Sequence, residues 1–287
     1  MFNLSSEPDT VKKIALIGKN SNLSSYLVRE FERSQWDCEI LSLRELSLMT
    51  GGDRAALWDS LSPKFGTFVF SGAAIDPSLS KKTLDFLNFE IPLQAIEVIS
   101  NSDDPKEILT IGSALEGVAT HNPYIASKHR LAIRATDEDY PGWTHLRTHT
   151  LVGRAPPPAH MLLGQLLAAL QNKSDFTIHG TQQLREYIHY EQFASFVTDF
   201  LRGYVTSASR TPQVGGKEKT LVSDLVRDIM FRFNPESKLH VNESLGWLTD
   251  QTRQSARQND FILPNPRAKD LVAPLVETWL MRGLSGE

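Results

Sequence analysis

The chain has a single cysteine, Cys38, in 287 residues. That excludes an intramolecular disulfide framework and fits a reducing compartment. No apolar run approaches the roughly 20 residues that cross a bilayer as a helix. The formal charge of -4 lacks the basic excess of a nucleic-acid surface. No internal repeat and no low-complexity tract is present. Met1–Thr10 is polar and acidic, so it does not read as a signal peptide. These absences give the expectation of a cytoplasmic globular protein with no membrane and no nucleic-acid partner. The length allows one large domain, or one domain with a smaller lobe.

What is present is an alternation of short apolar runs and helical patterns. Lys13–Gly18 is an apolar run closed by glycine, the mark of a buried strand. The polar turn Lys19–Asn22 leads into a helical spacing of Leu23, Tyr26, Leu27, Val28 and Phe31. Cys38–Leu43, Thr67–Ala74, Glu107–Ser113 and Trp143–Arg147 read as further strands. Thr83–Ser100 is apolar nearly all round, so it predicts a buried helical segment kinked or restarted at Pro92. Strands separated by helices predict an α/β fold with a parallel sheet.

Glycine is scarce where a nucleotide site would use it. Strand, glycine turn and helix form the first unit of a dinucleotide site, whose helix N-terminus offers free N–H groups to phosphate. With Gly18 as the first glycine of that pattern, Ser21 and Ser24 stand where the second and third would be. Ser24 replaces a packing glycine at small cost. Ser21 falls where the backbone must approach the pyrophosphate closely and where positive φ can be required. The predicted cofactor contacts at this turn are Gly18, Lys19, Asn20, Ser21, Asn22 and Leu23, with Lys19 and the hydroxyls binding phosphate directly. Past the second strand comes Arg44, which can pair with a 2′-phosphate and so favours NADP over NAD; Glu45 beside it keeps NAD open. Ser71, Gly72 and Ala73 close the third strand with small residues that let a ligand approach the backbone.

The stretch His121–His129 carries the chemistry. Asn122 suits an N-cap and Pro123 the first helical position. Tyr124 and Lys128 then lie one turn apart on one helix face. An ammonium beside a phenol favours the phenolate, which makes the tyrosine a usable general acid or base. Ser113, at the end of its strand, can bond the same substrate oxygen. Glu116, His121 and Asn122 lie in the short loop between, where Glu116 or His121 could serve as an extra acid or base or simply as a satisfied polar residue. His145 and His149 are spaced too poorly, with no third ligand near, for a metal site.

The strand ending in Ser113, the Asn-Pro-Tyr opening and the Ala-Ser before Lys128 together resemble the short-chain dehydrogenase/reductase superfamily. More narrowly they resemble its extended branch of nucleotide-sugar epimerases, dehydratases and 4-keto-reductases. Gly18–Lys19 is similar to the turn of the keto-reductases. Leu146–Arg147, followed by Val152–Gly153, resembles the segment that holds the nicotinamide end, with Thr150 as a cofactor contact. Arg185–Ala194 resembles the signature whose arginine contacts the nucleotide diphosphate. The resemblance implies a Rossmann-type doubly wound parallel sheet at 1–155 and a small C-terminal α/β substrate lobe at 156–287, with the chain free to weave between them. It implies Tyr124 as acid/base, Lys128 beside the nicotinamide ribose, Ser113 polarising a carbonyl, and Arg185, Glu116 and Asn122 on the substrate side. Ala114 and Leu115 stand where a dehydratase carries its Asp-Glu pair, which favours reduction or epimerisation over dehydration of a nucleotide-activated sugar, in polysaccharide or deoxysugar synthesis. The family's helix pairing implies a homodimer. Two rival readings remain: a degenerate member that binds NADP or nothing and acts as a sensor, and a reductase of a non-sugar carbonyl. After Asp175–Gly180 and Gln183–His189, two short strands around a turn, come Val214–Gly216, a Ser-capped helix from Leu221, the polar Asp250–Asp260, and a helix over Pro266–Arg282 with a restart open at Pro274.

Overall fold

The computed structural model describes residues 11–117, 121–137, 140, 142–179, 183–242, 259–264 and 266–285. The expectations for Met1–Thr10, and for the polar stretch up to residue 258, fall outside them. In chain order the elements are β1 (Lys13–Ile17), α1 (Asn22–Arg33), β2 (Asp37–Leu41), α2 (Leu43–Leu48), α3 (Gly51–Leu61), β3 (Thr67–Phe70), α4 (Lys81–Asp85), α5 (Ile91–Ser100), β4 (Glu107–Ser113), α6 (Pro123–Ala135), β5 (Trp143–Thr148) and β6 (Thr150–Val152). They continue with α7 (Leu162–Gln171), β7 (Phe176–His179), β8 (Leu184–Arg185), β9 (Tyr187–His189), α8 (Tyr190–Leu201), β10 (Gln213–Gly216), β11 (Thr220–Leu221), α9 (Val222–Phe233), β12 (Leu239–Asn242), β13 (Phe261–Leu263) and α10 (Ala268–Ser285).

Seven strands form one sheet in the order β2-β1-β3-β4-β5-β10-β13, every neighbour parallel. The central strands are apolar on both faces because helices cover both. On one face α1 and α8 close over Ile14, Leu16, Leu109 and Leu146. On the other, α3, α5 and α6 close over Ala15, Ile17, Phe68 and Phe70. The chain leaves β1 toward β2, then crosses back past β1 to reach β3. The ends of β1 and β3 therefore part in opposite directions, and that crevice is where open α/β sheets bind ligands.

A third apolar core lies apart, built by α7, α9, α10, β7 and β12 around Leu166, Val226, Val272 and Trp279. It forms the C-terminal lobe. A single boundary at 155 does not describe it, because β10 and β13 return to extend the central sheet and α8 packs on the same face as α1.

The long apolar segment at 83–100 is α4, one wide i→i+5 turn at Phe86–Glu90, and α5, with Pro92 at the start of α5. Within the wide turn, buried Asn88 accepts from Ala74 N at 2.7 Å and donates to Ala74 O at 2.8 Å. It thereby pins the loop after β3. Other expectations are corrected. The stretch Gln183–His189, read as one strand, is two, β8 and β9; β7 pairs with β12, β8 with β11 and β9 with β6. Ser223 does not cap α9; Leu221 occupies the cap position, and Val222 N bonds Gln183 O at 2.9 Å. Helix α10 runs through Pro274 without a restart.

Candidate active site

The turn after β1 is built by glycine, serine and an edge carbonyl. Gly18 has φ +138, and a Cβ there would stand 2.4 Å from Gly72 N. Only glycine lets the β1 and β3 turns touch at this crossing. Gly18 N and Lys19 N both donate to Leu41 O, at 2.9 and 3.2 Å, which anchors the turn to the end of β2. Ser21 takes φ −83, so no positive φ is needed at the second position. Its hydroxyl caps α1 by accepting from Ser24 N at 3.2 Å. Ser24, in the third position, donates to Gly18 O at 2.6 Å and lies 2.7 Å from Ser71 Oγ. The small cost of losing a packing glycine is thus offset by two hydrogen bonds. The amides of Asn22 and Leu23 precede the first intrahelical bond and keep their capacity to donate. Lys19 and Asn20 are exposed beside them. This turn fits a pyrophosphate. Arg44 is exposed in the first turn of α2, just past β2.

The second half of the site sits at the end of β4. Asn122 caps α6 as expected, accepting from Tyr124 N at 3.0 Å and Ile125 N at 3.4 Å. That aims α6 so that Lys128, 3% exposed, donates to Ile111 O at 2.9 Å. An ammonium has two further hydrogens to give. Ser113 Oγ accepts from Leu115 N at 3.2 Å, which leaves its own hydrogen to donate outward. Glu116 folds back over β4, 5% exposed. Its Oε1 accepts from Ser113 N at 2.6 Å and its Oε2 meets His145 Nε2 at 3.0 Å.

The expected charge balance is reversed at Tyr124. Burial first, then the Glu116 carboxylate and Tyr190, push the Tyr124 phenol above its ordinary value. Burial pushes Lys128 down to about 8, against an opposing pull from Glu116. Burial raises Glu116, but His145, the Ser113 N–H and Lys128 outweigh it and hold the carboxyl below the usual range. Tyr124 is thus a neutral phenol, ready to give a proton rather than take one.

Other sequence candidates fall in different places. Glu116 is turned inward with both oxygens engaged, so it is not presented to a substrate. The capping oxygen of Asn122 is likewise committed to the helix. Thr150 opens β6, its N–H bonded to Glu186 O at 3.1 Å. Arg185 lies half-buried on β8, near enough for its charge to bear on His149. His145 and His149 belong to separate hydrogen-bond networks, and no group of three metal-ligating side chains occurs among the described residues. Sequence reasoning missed His145 as a partner of Glu116, missed Asn88, and missed the wall made by Tyr26 stacked on Tyr190 at 5.1 Å. The one signal available for the wall was Gly153, where a Cβ would stand 2.7 Å from the Tyr190 ring and from the Tyr26 hydroxyl.

Solved structures share this architecture. The GDP-mannoheptose C4 reductase MlghC of Campylobacter jejuni, seen with NADP bound, matches with a TM-score of 0.66 at 14% identity, over 94% of this chain and 98% of that one. A UDP-glucose 4-epimerase of Thermotoga maritima, seen with UDP-glucose, matches with a TM-score of 0.68 at 13% identity, over 96% and 100%. The fold is that of the nucleotide-sugar epimerases and reductases. An L-threonine dehydrogenase of Clostridium difficile also has it, with a TM-score of 0.68 at 11% identity over 95% and 99%. No family model and no curated sequence matches the chain.

Proposed function

We propose that the chain is an NAD(P)-dependent member of the extended short-chain dehydrogenase/reductase superfamily that reduces or epimerises a nucleotide-activated sugar. The observation that carries this is the carboxyl end of β4, where Glu116 holds Ser113 and Lys128 donates to Ile111 O one helical turn after Tyr124, in the sheet whose β1–α1 turn fits a pyrophosphate. The fold neighbours seen with NADP and with UDP-glucose support the cofactor and substrate classes.

The residues divide the work. Asn22 and Leu23 N–H groups, Ser21 and Lys19 hold the diphosphate of the cofactor, and Arg44 a 2′-phosphate. Lys128 offers its two remaining hydrogens to the nicotinamide ribose. When bound, the nicotinamide supplies or accepts the hydride. Ser113 donates its outward hydrogen to the substrate carbonyl oxygen. Tyr124 gives that oxygen its phenolic proton, and Lys128 stabilises the phenolate left behind. A phenol held neutral suits the reductive direction.

The test is a thermal-shift titration with NADPH and NADH, followed by NADPH oxidation assays on nucleotide keto-sugars and epimerisation assays on nucleotide sugars. Saturable stabilisation by a dinucleotide is expected. Tyr124→Phe is expected to bind it within a few-fold while turnover falls ~10²–10⁴-fold. A chain that binds neither dinucleotide does not work by this chemistry.

A further inference from the structure

Behind the three catalytic candidates runs a buried relay that their chemistry does not by itself require. Trp143 Nε1 donates to Thr110 Oγ1 at 2.9 Å. Thr110 Oγ1 lies 2.7 Å from His145 Nδ1. An indole N–H only donates, so the threonine oxygen accepts there, and at the far side of the imidazole an ionised carboxylate only accepts. That leaves the hydrogen of the imidazole on Nε2, pointing at Glu116 Oε2. The relay therefore ends by handing a hydrogen bond to a carboxylate. His145 is fully buried.

The backbone is cleared for this contact. A Cβ on Gly112 would lie 2.1 Å from His145 Nε2 and 2.4 Å from Glu116 Oε1. Gly112 is the residue that lets a loop carboxylate cross β4 to reach a histidine on β5. Arg147 Nε stands 4.0 Å from Glu116 Oε2, the oxygen that meets His145. The groups bearing on the Tyr124–Lys128 pair are Glu116 from the loop and, at Tyr124, Tyr190 from α8; His145 and Arg147 from β5 bear on Glu116 itself.

We propose that the His145-held Glu116 is a positioning residue for the catalytic set: it fixes Ser113 through its backbone N–H, and it is the carboxylate set beside the Lys128 ammonium, the two groups gripping β4 two residues apart at Ser113 N and Ile111 O. The assignment rests on the proposed function for its catalytic meaning, but its electrostatic content is readable without any substrate. Lys128 has no carboxylate of its own on α6; its hydrogen bond goes to the Ile111 carbonyl, and its charge balance comes from Glu116. Deleting that charge leaves burial unopposed. Lys128 then loses its proton at lower pH, and the form able to stabilise a phenolate disappears earlier on the alkaline side.

The experiment follows the Lys128 side-chain nitrogen by ¹⁵N NMR across pH in the full chain, assigned with Lys128→Met. In the wild type it is expected to titrate near pH 8. Glu116→Gln is expected to move it about one pH unit lower, and to move the alkaline limb of kcat on a nucleotide keto-sugar by the same amount. Glu116→Asp keeps the charge but falls one carbon short of Ser113 N. It should leave the titration in place and lower kcat about tenfold, and it serves alone if the Gln variant does not fold. A Lys128 titration unmoved in Glu116→Gln overturns the proposal, as does an unchanged kcat in Glu116→Asp. If the titration moves but the wild type turns over no nucleotide sugar, the positioning role stands and the proposed function falls.

Discussion

Two buried carboxylates in this molecule are built alike and do different things. Glu116 and Glu186 each fold over a glycine, accept a backbone N–H and face a histidine of the β5 segment. Glu116 pairs with Gly112, Ser113 N and His145. Glu186 pairs with Gly215, Gly216 N at 2.8 Å and His149 at 3.6 Å. The difference lies in how the second oxygen is used. Both Glu116 oxygens are bonded, and an ammonium and a phenol feel its charge. Glu186 puts one oxygen on Gly216 N and Asn259 Nδ2, at 2.8 Å each, and leaves Oε1 without a hydrogen bond. Glu186 thus stitches the segment between β8 and β9 to β10 of the central sheet. The lesson is that a buried Glu–His contact has no fixed meaning: what else the carboxylate reaches decides whether it tunes chemistry or joins elements.

The sharpest way to separate the two is to close each glycine clearance. Gly112→Ala is expected to cost about 1–3 kcal/mol of stability and to lower kcat by at least ~10²-fold, since it displaces the group that holds Ser113. Gly215→Ala should lose similar stability, read by denaturant melts, and keep kcat within a few-fold. Equal losses of activity would erase the distinction. Next, Glu186→Ala leaves the buried Gly216 N–H unpaired and should cost about 2 kcal/mol, with no movement of the pH–kcat profile.

Lys128→Met tests the price of the charge itself. A lysine moved from 10.5 to about 8 costs ~3 kcal/mol wherever it is charged in both states. Losing the Ile111 hydrogen bond returns about 1 kcal/mol. The inactive variant should therefore be about 2 kcal/mol more stable than wild type at pH 7. The sign follows from proton counting. Between pH 8 and 10.5 the unfolded chain holds the proton and the folded one does not, so wild-type stability rises there and the advantage of Met fades. Melting at pH 7 and pH 10 checks it. The smallest effect belongs to the other end of the site. Ser21→Gly removes the α1 cap for a few tenths of a kcal/mol and, by taking away one hydroxyl placed on the diphosphate, should weaken dinucleotide binding a few-fold.

Much of this was legible in the residues. The apolar runs gave five strands and the parallel α/β class; the signal is continuous in β1, β3 and β4, which are buried on both faces. Asn122, Pro123, Tyr124 and Lys128 placed the catalytic helix through capping and one-turn spacing alone, both local effects. The worry over Ser21 was not resolvable from the chain, since φ at that position depends on how the turn is anchored to Leu41 O and Gly72. β10 and β13 were hard to assign to the central sheet because short strands carry little periodicity and their partners lie far away in sequence.

Sequence by itself determined the strand-helix alternation, the cap and face of α6, and the identity of the groups able to do acid/base chemistry. These follow from residue type and near-neighbour spacing. Tertiary structure alone decided the sign of the electrostatics. The Tyr124–Lys128 spacing predicts an acidified phenol, yet Glu116 and burial make it a neutral one. A carboxylate reaches that site only because Gly112 leaves room beside His145, 33 residues on in the sequence. Charge acts through space at the dielectric of the site, and neither distance nor burial is written in the order of residues.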